Sequence, residues 1–593
     1  MCGIFAYLGP KSNAPDLVIE GLKKLEYRGY DSWGVAAQNL GSTAIDFYKK
    51  VGKISDYKTT DHNFPESYLA IGHSRWATHG GVTEANAHPH FNQDQSIAIV
   101  HNGIIENYLE IRQKLEKEGY QFISQTDTES VAHLIDYHLK KTNNFVEAVK
   151  VALQELHGRY GILAIKKDEQ KIIAARRGSP LIVGIGKNEF FVASDIPAFL
   201  SYTNQVNYLD DEQMVIITPE KAEFFELKNY TPVEKRLVEI TWQAQQAEKG
   251  EYPHFMIKEI MEQKDSIKRA VEQNDQEIET ITNAIKGAFG TYFVGCGTAG
   301  KVCLASTYLF ANVAKRHVNF AVGSEFSLLQ DFIREKSLVI AVSQSGETAD
   351  TLEAIHAAKN KNAKVLSIIN VQGSTMHRES DYALLINAGP EKAVASTKAT
   401  TAQMAVLTLL AFAAADRLAE GKMLLVEVQA QINDMLNPRY EDHIRELAEK
   451  IHQVESLYVI GKGVNYAMAL ESAIKLQEIS YIHAEGFASG ELKHGPIALI
   501  TKGTPVIALF SNDKSKSDLL SSCQEVKARG AYVIGVSPEN NDVFDFWIKV
   551  PDAHEAQAIV NIIPIQLLAY HLAIIRKNDP DMPRNLAKSV TVK

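Results

Sequence analysis

The stretch Leu338-Val-Ile-Ala-Val342, followed by Ser343-Gln-Ser-Gly-Glu-Thr348, joins a short apolar run to a turn rich in Ser and Gly. A stretch rich in Ala and Leu with helical spacing comes next. Strand, turn and helix in this order begin a βαβ unit, which predicts a parallel sheet covered by helices. Hydroxyls and backbone N–H groups at a helix N-terminus bind anions without net positive charge, so the turn predicts a phosphate site; an ordinary Ser-rich helix cap is the alternative.

The same pattern occurs more than once along the chain. Tyr292-Phe-Val-Gly295 resembles Leu457-Tyr-Val-Ile-Gly461, and Leu338–Val342 resembles Thr504-Pro-Val-Ile-Ala-Leu509. The offsets agree, at 166 residues from Gly295 to Gly461 and 167 residues from Val339 to Val506. Two matching offsets predict a tandem duplication of one α/β unit. The second turn, Phe510-Ser-Asn-Asp-Lys514, lacks the Gly and Thr and contains an acid, so we expect only the first repeat to keep the phosphate.

The first ~240 residues have a different pattern, with short strands, Gly and Asn turns and intervening helices, which predicts an α+β domain. Helices are expected at Ala14–Leu25 and Thr128–Leu139, and a hairpin over Lys171–Ile185. Residues 241–254 are polar and read as a helical junction. The predicted organisation is therefore residues 2–240, a linker at 241–254, two α/β subdomains at 255–430 and 431–580, and a C-terminal tail at 581–593.

Composition limits the possible functions. The chain has 593 residues, 45% of them hydrophobic, and a formal net charge of −10, which gives no general attraction for nucleic acid or an anionic membrane. Four cysteines without a CxxC pair fit a reducing cytoplasm. The longest apolar stretch is expected at Ala405–Ala415, too short to span a bilayer. The sequence predicts a cytoplasmic protein that binds neither nucleic acid nor membrane.

Cys2 is the first candidate for covalent chemistry. Its small side chain permits removal of Met1, which would leave a thiol and a free α-amine on one residue. A thiol with a pKa near ~8.5 and an amine near ~7.7–8 can exchange a proton at neutral pH. Cys2 is therefore a candidate nucleophile with its own base, although many proteins have a small second residue.

A second candidate lies in Glu471-Ser-Ala-Ile-Lys475-Leu-Gln-Glu478. The spacings of four and three residues place Glu471, Lys475 and Glu478 on one helical face. Charges at this spacing often only stabilise a solvated surface. The surrounding Ala, Leu and Ile residues favour partial burial instead, where a Glu can become a general base. His494, in a turn, is a plausible proton-transfer group.

Histidines are frequent in Gly72–Gly80, at His88 and His90, and at His101. A metal site is nevertheless not predicted, because these residues occupy separate loops and no carboxylate stands at ligand spacing. Arg75 could hold a carboxylate through two hydrogen bonds, and Asp127 could hold an ammonium group. Together they would recognise a free amino acid.

Taken together, these residues resemble the isomerising glutamine–fructose-6-phosphate aminotransferase family, over essentially the whole chain. The motifs that carry the resemblance are Met1–Ile4, Leu25–Ser32, Gly72–Gly80, Asn86–His90, Val100–Asn107, Thr126–Glu129, Ser343–Thr348, Val394–Lys398, Glu485–Pro496 and Pro583–Val592. The resemblance implies an N-terminal-nucleophile glutaminase domain of αββα architecture, followed by two sugar-isomerase subdomains with parallel sheets. It also implies the overall reaction, in which glutamine and fructose 6-phosphate give glutamate and glucosamine 6-phosphate.

In the glutaminase half, the resemblance implies that Cys2 attacks the glutamine amide while Asn102 and Gly103 stabilise the oxyanion. It assigns glutamine binding to Arg75, Trp76, Thr78, His79, His88 and Asp127, and a supporting role to Arg28. Trp76 also resembles the gate of the channel through which ammonia passes to the sugar.

In the isomerase half, the resemblance implies that Lys588 forms a Schiff base with the open-chain sugar, that His494 helps to open the ring and that Glu478 moves the proton between C1 and C2. It assigns the sugar phosphate to Thr298, Ser343, Gln344, Ser345, Thr348 and Ser396. Glu471 and Lys475 are expected to support this chemistry. No cofactor or metal is implied, and the family is typically a homodimer in which His494 reaches the partner's site.

The sequence departs from the family pattern at two positions, and it leaves two rival functions open. Ala299 replaces a Ser that is common in the family, and Lys593 replaces a common acid. The glutaminase half lacks room for a long regulatory insertion, so a weakly regulated, bacterial-type enzyme is expected. The rivals are another N-terminal-nucleophile amidotransferase and a non-catalytic sugar-phosphate sensor.

Overall fold

The computed structural model describes residues 2–39, 44–77, 79–240 and 248–591. The chain divides into two compact units. The first comprises Met1–Ala247 with Ala587–Lys593, and the second comprises Glu248–Leu586.

The first unit contains two antiparallel sheets. The strands are β1 (Gly3–Leu8), β2 (Ser32–Gln38), β3 (Ile45–Val51), β4 (Leu69–Arg75), β5 (His90–Phe91), β6 (Ile97–Ile105), β7 (Gly158–Lys166), β8 (Glu169–Arg177), β9 (Ile182–Ile185), β10 (Phe190–Ala193), β11 (Gln205–Tyr208), β12 (Gln213–Ile217), β13 (Ala222–Glu226), β14 (Pro232–Val233) and β15 (Val238–Glu239). One sheet has the order β15-β11-β9-β10-β1-β4-β2-β3 and the other β14-β13-β12-β8-β7-β6-β5. The helices are α1 (Ala14–Lys24), α2 (Tyr108–Lys117), α3 (Asp127–Thr142) and α4 (Phe145–Glu155).

The alternation of side chains along β1 explains the layering of this unit. Ile4, Ala6 and Leu8 enter a core that also contains residues of β6 and β7, so the two sheets pack face to face. Phe5 and Tyr7 point the other way, into a core shared with α1. Helices α2, α3 and α4 cover the outer face of the second sheet. Successive residues of a strand face opposite sides, so a strand buried on both faces is apolar throughout. The result is the αββα arrangement that the resemblance implied.

The second unit contains two parallel sheets. Its elements are α5 (Phe255–Met261), α6 (Gln263–Val271), α7 (Asp275–Gly287), β16 (Gly290–Gly295), α8 (Gly297–Leu309), β17 (Asn319–Val322), α9 (Gly323–Phe326), β18 (Ser337–Ser343), α10 (Ala349–Asn360), β19 (Lys364–Ile369), α11 (Thr375–Glu379), β20 (Tyr382–Leu385), α12 (Lys398–Ala414), α13 (Leu418–Met435), α14 (Pro438–Ile451), β21 (Ser456–Gly461), α15 (Val464–Ser480), β22 (His483–Ala488), β23 (Pro505–Leu509), α16 (Lys516–Lys527), β24 (Tyr532–Ser537), β25 (Phe546–Lys549) and α17 (Gln557–Ile575).

The two parallel sheets have matching strand orders, β17-β16-β18-β19-β20 and β22-β21-β23-β24-β25. In each sheet the second strand of the order is followed by the turn at Gly295 or Gly461, and its neighbour is β18 or β23. The matching orders confirm the tandem duplication that the repeat offsets predicted. A single apolar core extends from Met256 to Ala573 and includes residues of both repeats. All 17 residues of α12 are buried in it. Helix α13 continues across residues 430 and 431, where the sequence analysis placed a boundary.

Three sequence expectations differ from the structure. The hairpin predicted over Lys171–Ile185 is wrong, because β8 and β9 belong to different sheets and β8 pairs with β7. Residues 248–254 form turns and bends, and the first helix of the second unit begins at Phe255; residues 241–247 lie outside the described residues. Among the described residues, the helical segment His554–Ile575, rather than Ala405–Ala415, is long and apolar enough to cross a membrane, although 89% of its most apolar window is buried within the protein.

Candidate active sites

The first candidate site is built around Cys2, immediately before β1. The pairing of β1 with β4 brings the end of β4 beside it. The Cys2 Sγ accepts the backbone N–H of Trp76 at 3.2 Å and lies 3.4 Å from the Trp76 carbonyl oxygen. Burial raises the pKa of the Cys2 thiol, while the Trp76 N–H and the Arg75 charge act in the opposite direction. The thiol is therefore mainly protonated at neutral pH, and its attack requires a base.

Asn102, in β6, is oriented by a buried histidine. Its Nδ2 donates to the Cys2 carbonyl oxygen at 2.9 Å, and its Oδ1 lies 3.1 Å from the Nε2 of His73. The same Nε2 lies 2.9 Å from the carbonyl oxygen of His101. Burial lowers the pKa of His73 to about 3, and the Arg75 charge adds to this effect. Because both partners of Nε2 are acceptors, the neutral ring carries its proton there and fixes the amide of Asn102 with its donor toward Cys2.

Gly103 follows Asn102 with a backbone φ of +124°. A Cβ at this position would lie 2.0 Å from the carbonyl oxygen of Arg159, which is closer than a nonbonded carbon atom can approach. Only glycine fits this conformation and this space. Gly103 lines the pocket of Cys2. A larger residue at this position would have to move the backbone away from Arg159.

Arg75 and Asp127 stand at the ends of different elements, β4 and α3. Arg75 donates to the carbonyl oxygens of His79, of Gly80 at 3.4 Å and of Gly81 at 3.2 Å, and so shapes the loop that follows it. The Asp127 Oδ2 accepts the N–H of Ile105 at 2.8 Å. Both side chains are largely buried, and both line the pocket that contains Cys2.

Ten residues line this pocket: Cys2, Arg75, Trp76, His79, His88, His101, Gly103, Thr126, Asp127 and Thr128. The structure thus brings together most of the predicted glutamine-binding residues, and Asn102 reaches Cys2 by its hydrogen bond. Thr78 lies outside the described residues. Arg28 is not among the lining residues; it forms a partly buried ion pair with Asp195 at 2.8 Å.

Thr128 was missed by sequence reasoning. Its hydroxyl lies 3.0 Å from the His88 Nε2 and 2.9 Å from the His101 Nδ1. Burial lowers the pKa of both histidines, so both rings are neutral. Its position next to Asp127, in the first turn of α3, was the available signal. In the part of the chain that the structure describes, no three His, Cys, Asp or Glu residues are arranged to hold a metal.

The second candidate site begins where β18 ends, in the turn Ser343–Thr348. The Ser343 Oγ accepts the N–H of Gly346 at 3.1 Å and lies 3.0 Å from the Thr348 hydroxyl. The Ser345 Oγ accepts the N–H of Glu347 at 3.2 Å. Gly346 has a φ of +65°, and a Cβ there would lie 2.1 Å from the Ser374 Oγ. The turn presents several hydroxyls at the N-terminus of α10, a position that favours phosphate.

The charged cluster on α15 is buried. Glu471 and Lys475 are 0% and 1% exposed at their side chains, so the solvated-surface interpretation is wrong for these two residues. The Lys475 Nζ lies 3.4 Å from the Glu471 Oε1 and forms a second ion pair with Glu478. Burial raises the pKa of Glu471 to about 7, and the charge of Lys475 opposes this increase.

Thr298 connects this cluster to the first repeat. Its hydroxyl donates to the Glu471 Oε1 at 2.9 Å, from the first turn of α8. Ser396 lies in the loop before α12, and its Oγ is 3.1 Å from the Glu391 carboxylate. Gln344 is half-buried in the Ser343 turn.

The two remaining predicted groups lie in other segments. His494 is exposed and ends a short 3-10 turn, Glu491–His494. Lys588 is half-buried and belongs to Ala587–Lys593, the segment grouped with the first unit. Their roles stay predictions from the sequence.

Comparison with known proteins gives matches over the whole chain. The profile of the SIS domain matches residues 290–413 and 450–576, and the profile of a glutamine amidotransferase domain matches residues 73–201. Glutamine–fructose-6-phosphate aminotransferase (isomerizing) of Thermococcus kodakarensis is 45% identical, with 100% of both chains covered. The enzyme of the same name from Thermus thermophilus is 41% identical over 100% of both chains.

One solved structure resembles the second unit. The C-terminal domain of glucosamine-fructose-6-phosphate aminotransferase from Francisella tularensis is 34% identical, with a TM-score of 0.53. It covers 56% of this chain and 99% of that chain.

Proposed function

The chain belongs to the family of isomerizing glutamine–fructose-6-phosphate aminotransferases, and from that membership we infer how its residues divide the reaction. The protein is a glutamine-dependent aminotransferase that converts fructose 6-phosphate and glutamine to glucosamine 6-phosphate and glutamate. The residue roles below are our proposal.

In the glutaminase reaction, Cys2 attacks the side-chain amide of glutamine after Met1 has been removed. The α-amine of Cys2 takes the thiol proton, which supplies the base that a thiol with a raised pKa requires. The Asn102 Nδ2 and the Gly103 N–H hold the oxyanion that forms. The α-ammonium returns the thiol proton to the amide nitrogen, which leaves as ammonia. A thioester remains on Cys2, and water hydrolyses it to glutamate and the free thiol.

Arg75 and Asp127 hold the two ends of the glutamine backbone in this proposal. The guanidinium of Arg75 binds the α-carboxylate, and the carboxylate of Asp127 binds the α-ammonium. Both groups line the pocket of Cys2, and this shared pocket is the observation that carries the proposal. Trp76, His79 and His88 complete its walls.

In the isomerase reaction, Ser343, Gln344, Ser345, Thr348 and Ser396 bind the phosphate of the sugar. His494 assists ring opening, and Lys588 forms an imine with the ketone carbon, releasing water. Ammonia from the glutaminase reaction attacks this carbon and displaces the Lys588 amine, which leaves a sugar imine at C2 whose neighbouring C1–H is acidic. Glu478 moves the proton between C1 and C2. Thr298, whose hydroxyl also bonds to Glu471, is a further ligand of the phosphate. Glu471 and Lys475 hold Glu478 in place through the buried contacts described above.

We also propose that the protein is a cytoplasmic homodimer. This follows the family expectation, and light scattering of the purified protein tests the assembly. A monomer that retains full synthesis would contradict it.

The central test follows glucosamine 6-phosphate formed from fructose 6-phosphate with glutamine as the nitrogen donor. Cys2→Ala is expected to abolish this synthesis, whereas Cys523→Ala, which alters a buried free thiol of the second repeat, is expected to preserve it. Glutamine-dependent synthesis by Cys2→Ala would refute the proposal. Intact-mass measurement of the active enzyme is expected to show Met1 removed.

A further inference from the structure

The C-terminal segment is anchored at Asp581, shortly before it leaves the second unit. Both carboxylate oxygens of this buried residue accept N–H groups at the start of α5, from Phe255 at 2.9 Å and from Met256 at 2.8 Å. Its carbonyl oxygen accepts the N–H of Val394 at 3.0 Å, two residues before Ser396. An acid is stabilised at a helix N-terminus by the N–H groups that lack partners within the helix. Asp581 therefore ties the segment to α5 and to the Ser396 loop.

Tyr481 anchors the same segment three residues further along. Its hydroxyl oxygen accepts the backbone N–H of Arg584 at 2.7 Å. The guanidinium carbon of Arg584 lies 4.2 Å from the centre of the Tyr481 ring, within the range of a cation–π contact. Tyr481 directly follows α15, the helix that carries Glu478. The segment is thus also tied to the end of that helix.

The backbone of Tyr481 is unusual. The residue ends α15 with a φ of +59° and a ψ of 23°, in the left-handed region. Gly or Asn is usual at this position, because a larger side chain there costs free energy. The contacts of the Tyr481 side chain with Arg584 could not be made by either of those residues. A strained residue that supplies a specific contact is a candidate for a functional role.

We propose that Tyr481 and Asp581 are positioning residues that fix the root of the C-terminal segment, which is residues 581–584, between the Ser396 loop and the Glu478 helix. By fixing this root, they keep Lys588 within reach of the sugar. The proposal rests on the imine role given to Lys588 above. Lys588 lies four positions after Arg584, and an extended chain covers at most about 3.6 Å per residue, so the backbone of Lys588 stays within roughly 14 Å of Arg584.

A fixed root acts on imine formation in a simple way. A lysine on an unanchored segment samples a large volume, whereas one held within a short radius of the carbonyl reacts at a higher effective concentration. Loss of an anchor should slow imine formation while leaving glutamine hydrolysis unchanged. The sugar phosphate should still bind when Tyr481 is changed, because the Tyr481 side chain bonds to Arg584 rather than to the Ser343 turn or the Ser396 loop.

The test is Tyr481→Phe, which removes one oxygen and keeps the ring under Arg584. The protein is mixed with fructose 6-phosphate and borohydride, which adds hydride to the C=N bond and leaves a stable secondary amine on the lysine. Mass spectrometry follows the rate of this addition at Lys588. We expect the rate and the kcat of synthesis to fall about 3- to 10-fold, the range for losing one hydrogen bond. The KM for fructose 6-phosphate should change less than kcat.

The matched control is Tyr382→Phe, on the edge strand β20 of the same unit, which should trap the sugar at the wild-type rate. Asp581→Asn removes the charge at α5 and should slow trapping as well. Basal glutamine hydrolysis and the thermal midpoint report folding. Wild-type trapping by both Tyr481→Phe and Asp581→Asn would overturn the positioning role. So would a parallel loss of hydrolysis and trapping in Tyr481→Phe, because that result indicates a structural role.

The failure of the underlying assignment gives a different result. Lys588→Arg should neither trap the sugar nor make glucosamine 6-phosphate. If it retains synthesis, the imine role itself is wrong and the positioning proposal fails with it. If it is inactive while Tyr481→Phe and Asp581→Asn both trap normally, the imine role stands and only the positioning proposal fails.

Discussion

The two repeats of the second unit have the same strand order, yet the turns that follow their equivalent strands differ in what satisfies their polar groups. In the first repeat, the hydroxyls of Ser343 and Thr348 bond to each other and to the turn itself. In the second, the Ser511 hydroxyl accepts from Asn465 at 2.8 Å, and the Phe510 carbonyl accepts from Asn561 at 2.9 Å. The first turn can exchange its internal bonds for a phosphate, whereas the second is already bonded to two buried amides.

This difference fits the proposal that the first repeat has a phosphate site and the second does not. The amide network of the second repeat continues from Asn561 to Asn465 and to Gln557, each at 2.9 Å. All three side chains are fully or almost fully buried. A buried polar network with every member bonded favours one arrangement of the chain. The second turn therefore stabilises the fold, and the first turn is the one that we propose to bind the phosphate.

The largest expected effect comes from placing the acid of the second turn in the first. Gly346 corresponds to Asp513, and Gly346→Asp adds a side chain where φ is +65° and Ser374 lies in the way. It also sets a negative charge against the phosphate, and like charges at such a contact cost several kcal/mol. We expect kcat/KM for fructose 6-phosphate to fall by about 100-fold or more, measured with saturating glutamine.

The reciprocal change, Asp513→Gly, is the control. Asp513 accepts the N–H of Ser515 at 2.8 Å near the start of α16. Loss of this hydrogen bond should lower the free energy of unfolding by at most about 1 kcal/mol. The kcat/KM for fructose 6-phosphate should stay unchanged. Equal losses of activity in the two variants would contradict the division of roles between the repeats.

The stability of the second unit should depend on pH through Glu471, whose pKa is raised to about 7. The folded state binds the proton more tightly than the unfolded state, in which the pKa is near ~4.3. Stability should therefore fall as pH rises from about 4.5 to 7, by up to about 3 kcal/mol, and then level off. Glu471→Gln should remove this decrease.

The measurement is the thermal midpoint at several pH values between 5 and 8. Glu446→Gln is the matched control, because Glu446 and Lys450 form the same i,i+4 pair on the exposed face of α14. That variant should keep the wild-type dependence on pH. A Glu471→Gln protein with the wild-type dependence would show that Glu471 does not titrate in this range.

A smaller effect on stability is expected from breaking the amide network of the second repeat. Asn561→Ala removes the amide that donates to the Asn465 Oδ1 and to the Phe510 carbonyl oxygen. Both buried acceptors then lose this hydrogen bond. The free energy of unfolding should fall by about 2 kcal/mol, as is typical when buried polar groups lose a partner. Urea unfolding measures this loss. The KM for fructose 6-phosphate should stay at its wild-type value; an increase would place the second turn in the substrate site.

The smallest expected effect concerns one hydroxyl of the first turn. Ser345→Ala should raise the KM for fructose 6-phosphate about 3- to 10-fold, the range for one lost hydrogen bond. Asn512, the equivalent residue of the second turn, is exposed and bonds to Asp552 at 3.1 Å. Asn512→Ala should leave KM unchanged. If both variants behave alike in steady-state kinetics, the Ser345 hydroxyl has no special part in binding.

The duplication could be predicted because Gly295 and Gly461 recur with the same offset as Val339 and Val506, and such spacing survives changes of sequence. The hairpin over Lys171–Ile185 could not, because alternation predicts a strand without identifying its partner. The burial of Glu471 was undecided for a related reason: a Glu and a Lys four residues apart look alike on a solvated and on a buried face. Thr128 was missed because it meets His88 and His101 only in the folded chain.

The apolar core shared by the two repeats has a consequence for synthesis of the chain. A ribosome that has translated the first repeat has released α8 and α12 but not α15 or α17, with which they share that core. The apolar surface of the first repeat therefore stays exposed while about 140 further residues are translated. Exposed surface of this kind promotes aggregation. The surface of α8 and α12 that packs against α15 and α17 in the folded chain is therefore covered only when translation has passed the end of the second repeat.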